Sequence, residues 1–214
     1  MSACRLAAIL LLVVGGKNAS AQKPTTEFWP ELDVYWTPAK HQRTFLELSS
    51  SSEREGPKRE DSIGLYQDYL MLPAGYWRGG FRYTFSARDN SYREYRFVGE
   101  GTFRTWSRGL ARLVNRTRLE IRDVNNAWSY RIRERAHLQR IPVNDKGLAL
   151  APYITFEAYY FSQYNTIARL GGRVGSEAKV WGPVSVDVYF ARQDNSRTLP
   201  RYVNALGLTT KLTY

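Results

Sequence analysis

Arginine recurs at even spacings through the middle of the chain, at Arg112, Arg116, Arg118 and Arg122 in one run and at Arg131, Arg133 and Arg135 in the next. Arg96 precedes them, and Arg169 and Arg173 follow. Carboxylates keep the same spacing, with Glu94 and Glu100 on either side of Arg96, Glu120 inside the first arginine run and Glu157 between the second run and Arg169. A guanidinium presents a planar fork that matches a carboxylate bidentately. Residues of this kind on one face of extended segments would pair across neighbouring segments. Where arginine is in excess, they would also favour small anionic solutes or acidic oligosaccharides.

Catalytic chemistry has less to work with. An acyl hydrolase needs a serine, a histidine base and an acidic orienter. The chain has two histidines, His41 and His137. Ser129 shares the parity of His137 but stands eight positions away, beyond hydrogen-bond reach in an extended chain. A hydrolase built on His137 would need a hydroxyl from another segment. The GxSxG, HExxH, P-loop and dinucleotide fingerprints are absent. The one cysteine, Cys4, lies in a segment expected to be removed, which excludes a disulfide framework and a cysteine-built zinc site. Neither a metal nor a cofactor is expected. The net charge of +11 raises the question of nucleic acid. These arginines alternate with apolar residues instead of forming a block, so no nucleic-acid partner is expected.

The elements that must position these side chains follow a period of two. Val184, Val186, Val188 and Phe190 alternate with polar residues, as do Leu113, Leu119 and Ile121 with arginine and glutamate. Successive strand residues point to opposite faces, so each run has an apolar face and a polar face. Eleven candidate strands can be drawn, at 29–37, 43–52, 61–72, 76–87, 92–105, 109–122, 127–140, 152–162, 166–180, 184–193 and 203–214. Turn residues separate them, such as Asp123 to Asn126, Asn144 to Gly147 and Gly182-Pro183. The polar stretch Ser49 to Asp61 reads as a loop.

A soluble sandwich hides the apolar face, whereas a membrane barrel turns it outward and lines its lumen with the polar one. The length of the runs favours the membrane arrangement. So do Trp36, Trp77, Trp106, Trp128 and Trp181, each near a turn, where an interfacial girdle needs amphipathic rings. The beginning of the chain agrees. Arg5, the apolar run Leu6 to Val14 and Ala19-Ser20-Ala21 form a secretory signal, with cleavage expected after Ala21. At the other end, Leu206, Leu208, Leu212 and Tyr214 share one face of the last strand. That resembles the C-terminal signal read by the outer-membrane assembly machinery, with Leu212 and Tyr214 at its core. Glu134 breaks the scheme, since it falls among the apolar positions of its strand.

The run Val114-Asn115-Arg116-Thr117-Arg118-Leu119-Glu120-Ile121-Arg122, followed by Tyr130-Arg131-Ile132-Arg133, resembles a family of bacterial proteins, the domain of unknown function 2490. Phe28-Trp29, Gly75-Tyr76, Glu94 with Arg96, Arg169 to Gly175 and Asn204 to Tyr214 extend the resemblance over nearly the whole mature chain. The resemblance implies an outer-membrane barrel and no agreed activity.

The resulting expectation is a signal peptide at 1–21 and a closed antiparallel outer-membrane β-barrel at 22–214. Because both ends of a bacterial barrel normally face the periplasm, an even strand number is expected. Twelve strands are favoured and ten are the alternative. The lumen holds the arginines and glutamates named above. The partners are outer-membrane lipid, the assembly machinery and small anionic solutes.

Overall fold

The computed structural model describes residues 24–53, 59–71, 73–86, 92–141 and 150–214. The expected signal peptide, with Cys4, lies outside the described residues, as does the turn at Asn144 to Gly147. Eleven strands follow one another: β1 (Thr25–Ala39), β2 (Gln42–Glu53), β3 (Arg59–Met71), β4 (Gly75–Ser86), β5 (Arg93–Arg108), β6 (Ala111–Val124), β7 (Ala127–Arg140), β8 (Leu150–Phe161), β9 (Thr166–Trp181), β10 (Val184–Asn195) and β11 (Tyr202–Thr213). They close into one barrel in which sequence neighbours are spatial neighbours.

The expected strand number of twelve, or alternatively ten, is corrected to eleven. The even count assumed that both ends of the chain lie on the same side of the barrel. Here β1 and β11 pair in parallel, from Thr25 opposite Val203 to Tyr35 opposite Thr213, while the other ten junctions are antiparallel. An odd ring needs one parallel junction, and the chain places it where its first and last strands meet. The polar stretch expected as a loop from Ser49 to Asp61 is also corrected at both ends. Ser49 to Glu53 continue β2 and Arg59 to Asp61 open β3, because ladder partners such as Ser49 with Ser62 and Ser51 with Glu60 satisfy their backbones. Pairing on both sides outweighs the weak strand preference of serine.

Turn chemistry follows the residues present. Asn125 and Asn126 have φ of 50° and 68°, the left-handed pair that a two-residue hairpin between β6 and β7 requires. Gly182, with φ of 47°, turns the chain from β9 into β10. Tight links at Lys40-His41, Gly109-Leu110 and Gly182-Pro183 lie at one end of the barrel, called here the short-turn end. The 3-10 turn Ser162–Tyr164 and the segment 196–201 lie at the other, the long-loop end.

Period two sorts the side chains sharply. Asp68 and Glu94 are 0% exposed on the inside, while Trp128 and Trp181 stand 65% and 78% exposed on the outside. Trp36, Trp77, Trp106 and Trp181 ring the outer surface near the short-turn end. Trp128, Tyr130 and Phe85 stand outward near the long-loop end. Leu65, Phe97, Leu119, Val174, Val188 and Leu206 fill the outer belt between.

Inside, glycines make room for rings. Tyr189 is flanked in register by Gly175 on β9 and Gly207 on β11. A Cβ on Gly207 would lie 2.0 Å from Tyr189 Cζ, so the phenol ring occupies the volume that any larger residue needs. Gly207→Ala should therefore push Tyr189 out of its seat and cost about 1–3 kcal/mol through overpacking. The check is the midpoint temperature of thermal unfolding followed by circular dichroism. An unchanged temperature would show that Tyr189 yields freely.

Candidate functional site: the charged lumen

Glu94, Glu100, Glu120 and Glu157 are buried on the inner face of their strands, and arginines of the same and neighbouring strands turn toward them. Strand register puts like charges side by side: Arg96 opposite Arg122, Arg118 opposite Arg133, and Arg116 opposite Arg135. Like charges directly across a strand pair repel. Carboxylates placed beside or between them relieve that repulsion.

Glu94, fully buried, receives Arg96 Nε and Nη2 at 2.6 Å each and also bonds Arg122. Glu100 takes Arg118 Nε at 2.6 Å, and Arg116 Nε stands 3.5 Å away. Glu120 accepts Arg131 Nε at 2.8 Å and lies 3.7 Å from Arg118. Glu157 collects the most charge. Both its oxygens accept Arg133 Nη2 at 2.8 Å, Arg135 Nε is 2.5 Å away and Arg173 Nε is 3.7 Å away. The Tyr159 hydroxyl adds a bond of 2.5 Å to Glu157.

Two of the expected arginines meet neutral partners instead. Arg112 bonds the Gln139 amide oxygen, and Arg169 bonds Asn195 Oδ1 at 2.6 Å while lying over the Tyr159 ring. Their charge is not cancelled locally, so the arginine wall stays net positive.

Toward the short-turn end Asp68 holds Arg43 at 2.6 Å and Arg78 at 2.6 Å. The rings of Tyr35, Phe45 and Tyr66 stack there, 4.6 and 5.2 Å between successive centroids. Arg78 lies 4.3 Å above the Phe45 ring, and Arg43 lies 4.7 Å above Tyr35. Stacked rings and guanidiniums together form a dense layer. Above it opens a cavity of about 370 Å³ whose lining includes Thr198, Leu199 and Pro200 at the long-loop end.

Lumen residues that the strand pattern did not single out are Glu27, Glu31, Arg43 and Lys211. Glu27 and Glu31 share the inward parity of Asp33 on β1, Arg43 shares that of Glu47 on β2, and Lys211 has the parity opposite to the outward Leu212 on β11. The parity rule, carried to the strand ends, would have found them. The first strand also starts earlier than the pattern placed it, at Thr25, which is why Glu27 was left outside.

His137 faces the lumen. Its Nδ1 lies 2.8 Å from Thr155 Oγ1 on β8, and its ring packs at 4.8 Å from Tyr153. The neighbouring strand thus supplies a hydroxyl, but a threonine rather than a serine. Among the described residues no carboxylate bonds the histidine to orient it. Asp187, the nearest acid in this network, accepts the Tyr153 hydroxyl at 3.0 Å. His41 sits in the β1–β2 turn, with Nδ1 3.3 Å from the Leu70 carbonyl. Among the described residues no three acidic, histidine or cysteine side chains gather in a metal-holding group.

The two residues of the expected C-terminal signal lie along the closing seam. Leu212 pairs with Val34 of β1 and Val184 of β10, and Tyr214 exchanges backbone bonds with Tyr35 and Thr37 while its ring stays exposed. Glu134, the outward exception, accepts Thr117 Oγ1 at 2.9 Å from the adjacent strand. Comparison with family models, curated proteins and solved structures gives no match.

The geometry makes Glu157 the most exacting position. Removing its charge would leave Arg133, Arg135 and Arg173 confined together. Breaking a buried pair by losing one partner costs about 3–5 kcal/mol. Glu157→Gln should lower the melting temperature of the barrel far more than Glu134→Gln, which alters only an outward pair. Equal effects in thermal unfolding would show that the lumen is wet enough to screen its charges.

Proposed function

We propose that this chain is an outer-membrane β-barrel whose lumen is a closed, charged chamber, a structural or small-solute barrel rather than an open channel. The observation that carries this reading is the inverted sorting of side chains. Arginines and glutamates are buried inside, while leucine, valine, isoleucine and aromatic side chains cover the outside. In water, an exposed apolar belt of this extent would be a large liability. In a bilayer it is the required surface.

Several further features support it. The strands run from 12 to 16 residues, enough for tilted crossings, which need about 9–11. Aromatic rings stand at both edges of the belt, where amphipathic side chains suit a headgroup region. Backbone polar groups are paired strand to strand around the ring, which hydrocarbon demands. A secretory signal at 1–21 and a C-terminal signal at Leu212 and Tyr214 fit export and assembly. Short turns of such barrels face the periplasm, so the cavity mouth would face outward.

The closed state rests on the layer around Asp68. Arg43, Arg78 and three stacked rings reach inward from β1 to β4 there, and the arginine–glutamate network occupies the facing strands. A second reading, a pore selective for anions or acidic oligosaccharides, is favoured by the uncancelled charge of Arg112 and Arg169.

Fractionation and electrical recording test both. The protein should partition with the outer membrane, resist alkaline extraction and migrate differently on a denaturing gel before and after boiling, since a closed barrel offers no edge from which to unravel. In a planar bilayer it should carry no steady current. Recovery as a soluble periplasmic monomer would sink the membrane placement. A steady anion-selective current would sink the closed chamber and establish the second reading.

A further inference from the structure

The cavity has two walls of opposite charge. On the ring, β6 and β7 lie farthest from β1 in either direction, so they face it across the lumen. β1 contributes Glu31 and Asp33 to the cavity lining, and β6 and β7 contribute Arg116, Arg133 and Arg135. The two sets are on opposite sides of the barrel and do not neutralise one another.

Each wall keeps unsatisfied groups that point to a missing partner. Asp33 is 4% exposed and its Oδ1 has no hydrogen bond. Its other oxygen takes the Tyr35 hydroxyl at 3.3 Å. Asp33 stands directly beside Glu47 in the β1–β2 ladder, a like-charge contact, and Arg82 serves Glu47 at 2.5 Å. Lys211, opposite Asp33 in the β1–β11 seam, is ion-paired with Glu177 at 2.6 Å and acts on Asp33 only at longer range, while the Glu31 side chain lies within hydrogen-bonding reach of Asp33. Among the described residues no lysine or arginine lies within ion-pair distance of Asp33 or Glu31. On the facing wall Arg133 is 8% exposed, its Nη2 is committed to Glu157, and its Nε has no hydrogen bond.

A buried carboxylate without a cation and a buried guanidinium with a free N–H are each costly. One molecule bearing both charges answers both. The volume of about 370 Å³ matches small-molecule sites. It corresponds to on the order of ten waters, at roughly 30 Å³ each. We propose that the cavity is a binding site for a small zwitterion, its carboxylate or phosphate held by Arg133 with Arg116 and Arg135, and its ammonium held by Asp33 and Glu31. This deepens the closed-chamber reading and rests on it.

Such a site selects by separation of charge. An anion alone leaves Asp33 without an ion-pair partner, and a cation alone leaves the Arg133 Nε–H without an acceptor. Facing walls of opposite sign also set up a field across the barrel, which orients a dipolar solute with its carboxylate toward β6 and β7.

The test is calorimetric titration of the purified, folded protein with γ-aminobutyrate and ε-aminocaproate, each compared with butyrate and with butylamine. At least one of the two zwitterions should bind about tenfold tighter than either singly charged probe, because it alone satisfies both walls. Asp33→Asn should bring the zwitterion down to the affinity of butyrate and leave butyrate unchanged. Arg133→Gln should weaken the zwitterion and butyrate together. Glu31→Gln repeats the first comparison if Asp33→Asn does not fold, as judged by its gel shift. Butyrate binding as tightly as the zwitterions would reduce the site to an anion site and overturn the proposal, as would butylamine binding equally well or none of the probes saturating. Membrane placement is read by fractionation and closure by conductance, so a failure of either is distinguishable from a failure of this site.

Discussion

An odd ring of strands can close only if one junction runs parallel, and everything inside this barrel depends on where that junction falls. Here it joins β1 to β11 over eleven paired positions. Closure satisfies the backbone groups of both end strands and abolishes the free edges that would otherwise invite other strands. It also places β1 diametrically across from β6 and β7.

Within that ring the controlling quantity is the desolvation of charge. A carboxylate or guanidinium taken out of water is unfavourable by several kcal/mol unless an opposite charge and hydrogen bonds meet it. Strand pairing takes no account of this, and it sets Arg118 beside Arg133 and Arg116 beside Arg135. The resolution is geometric: Glu100, Glu120 and Glu157 sit where each can reach two or three guanidiniums. Tyrosine completes the shell, with Tyr76 donating to Glu100 at 3.3 Å and Tyr159 donating to Glu157. Such a network adds specificity of register more surely than net stability, because a one-residue slip would carry every charge to the outer face.

The lumen is not uniform along its axis. Rings, glycines and the Asp68 pairs pack the short-turn end. Tyr189 lies across Gly207 and Tyr66 across Gly80, so aromatic volume is accommodated where strands carry no side chain. Toward the long-loop end the cavity is left open between walls of unlike charge. One barrel thus combines a cluster held by dispersion and cation–π contact with a chamber lined by charged side chains.

Residue types in alternation determined a good deal alone. They placed eleven extended runs close to the observed strands, showed which parity carries arginine and glutamate, and put Trp36, Trp77, Trp106, Trp128 and Trp181 on the other parity near turns. A period of two is a local property of the backbone, so it can be read without knowing any partner. What alternation cannot carry is who stands beside whom. The eleven runs were there to be counted, yet the expectation that both chain ends share one side of the barrel argued for twelve, because strand direction at a seam between residues 25 and 213 leaves no local trace. The pairing of Glu157 with Arg133, Arg135 and Arg173, and the isolation of Asp33, depend on register between strands and on the curvature of the whole ring. Those are long-range relations, decided by closure, and only the tertiary structure holds them.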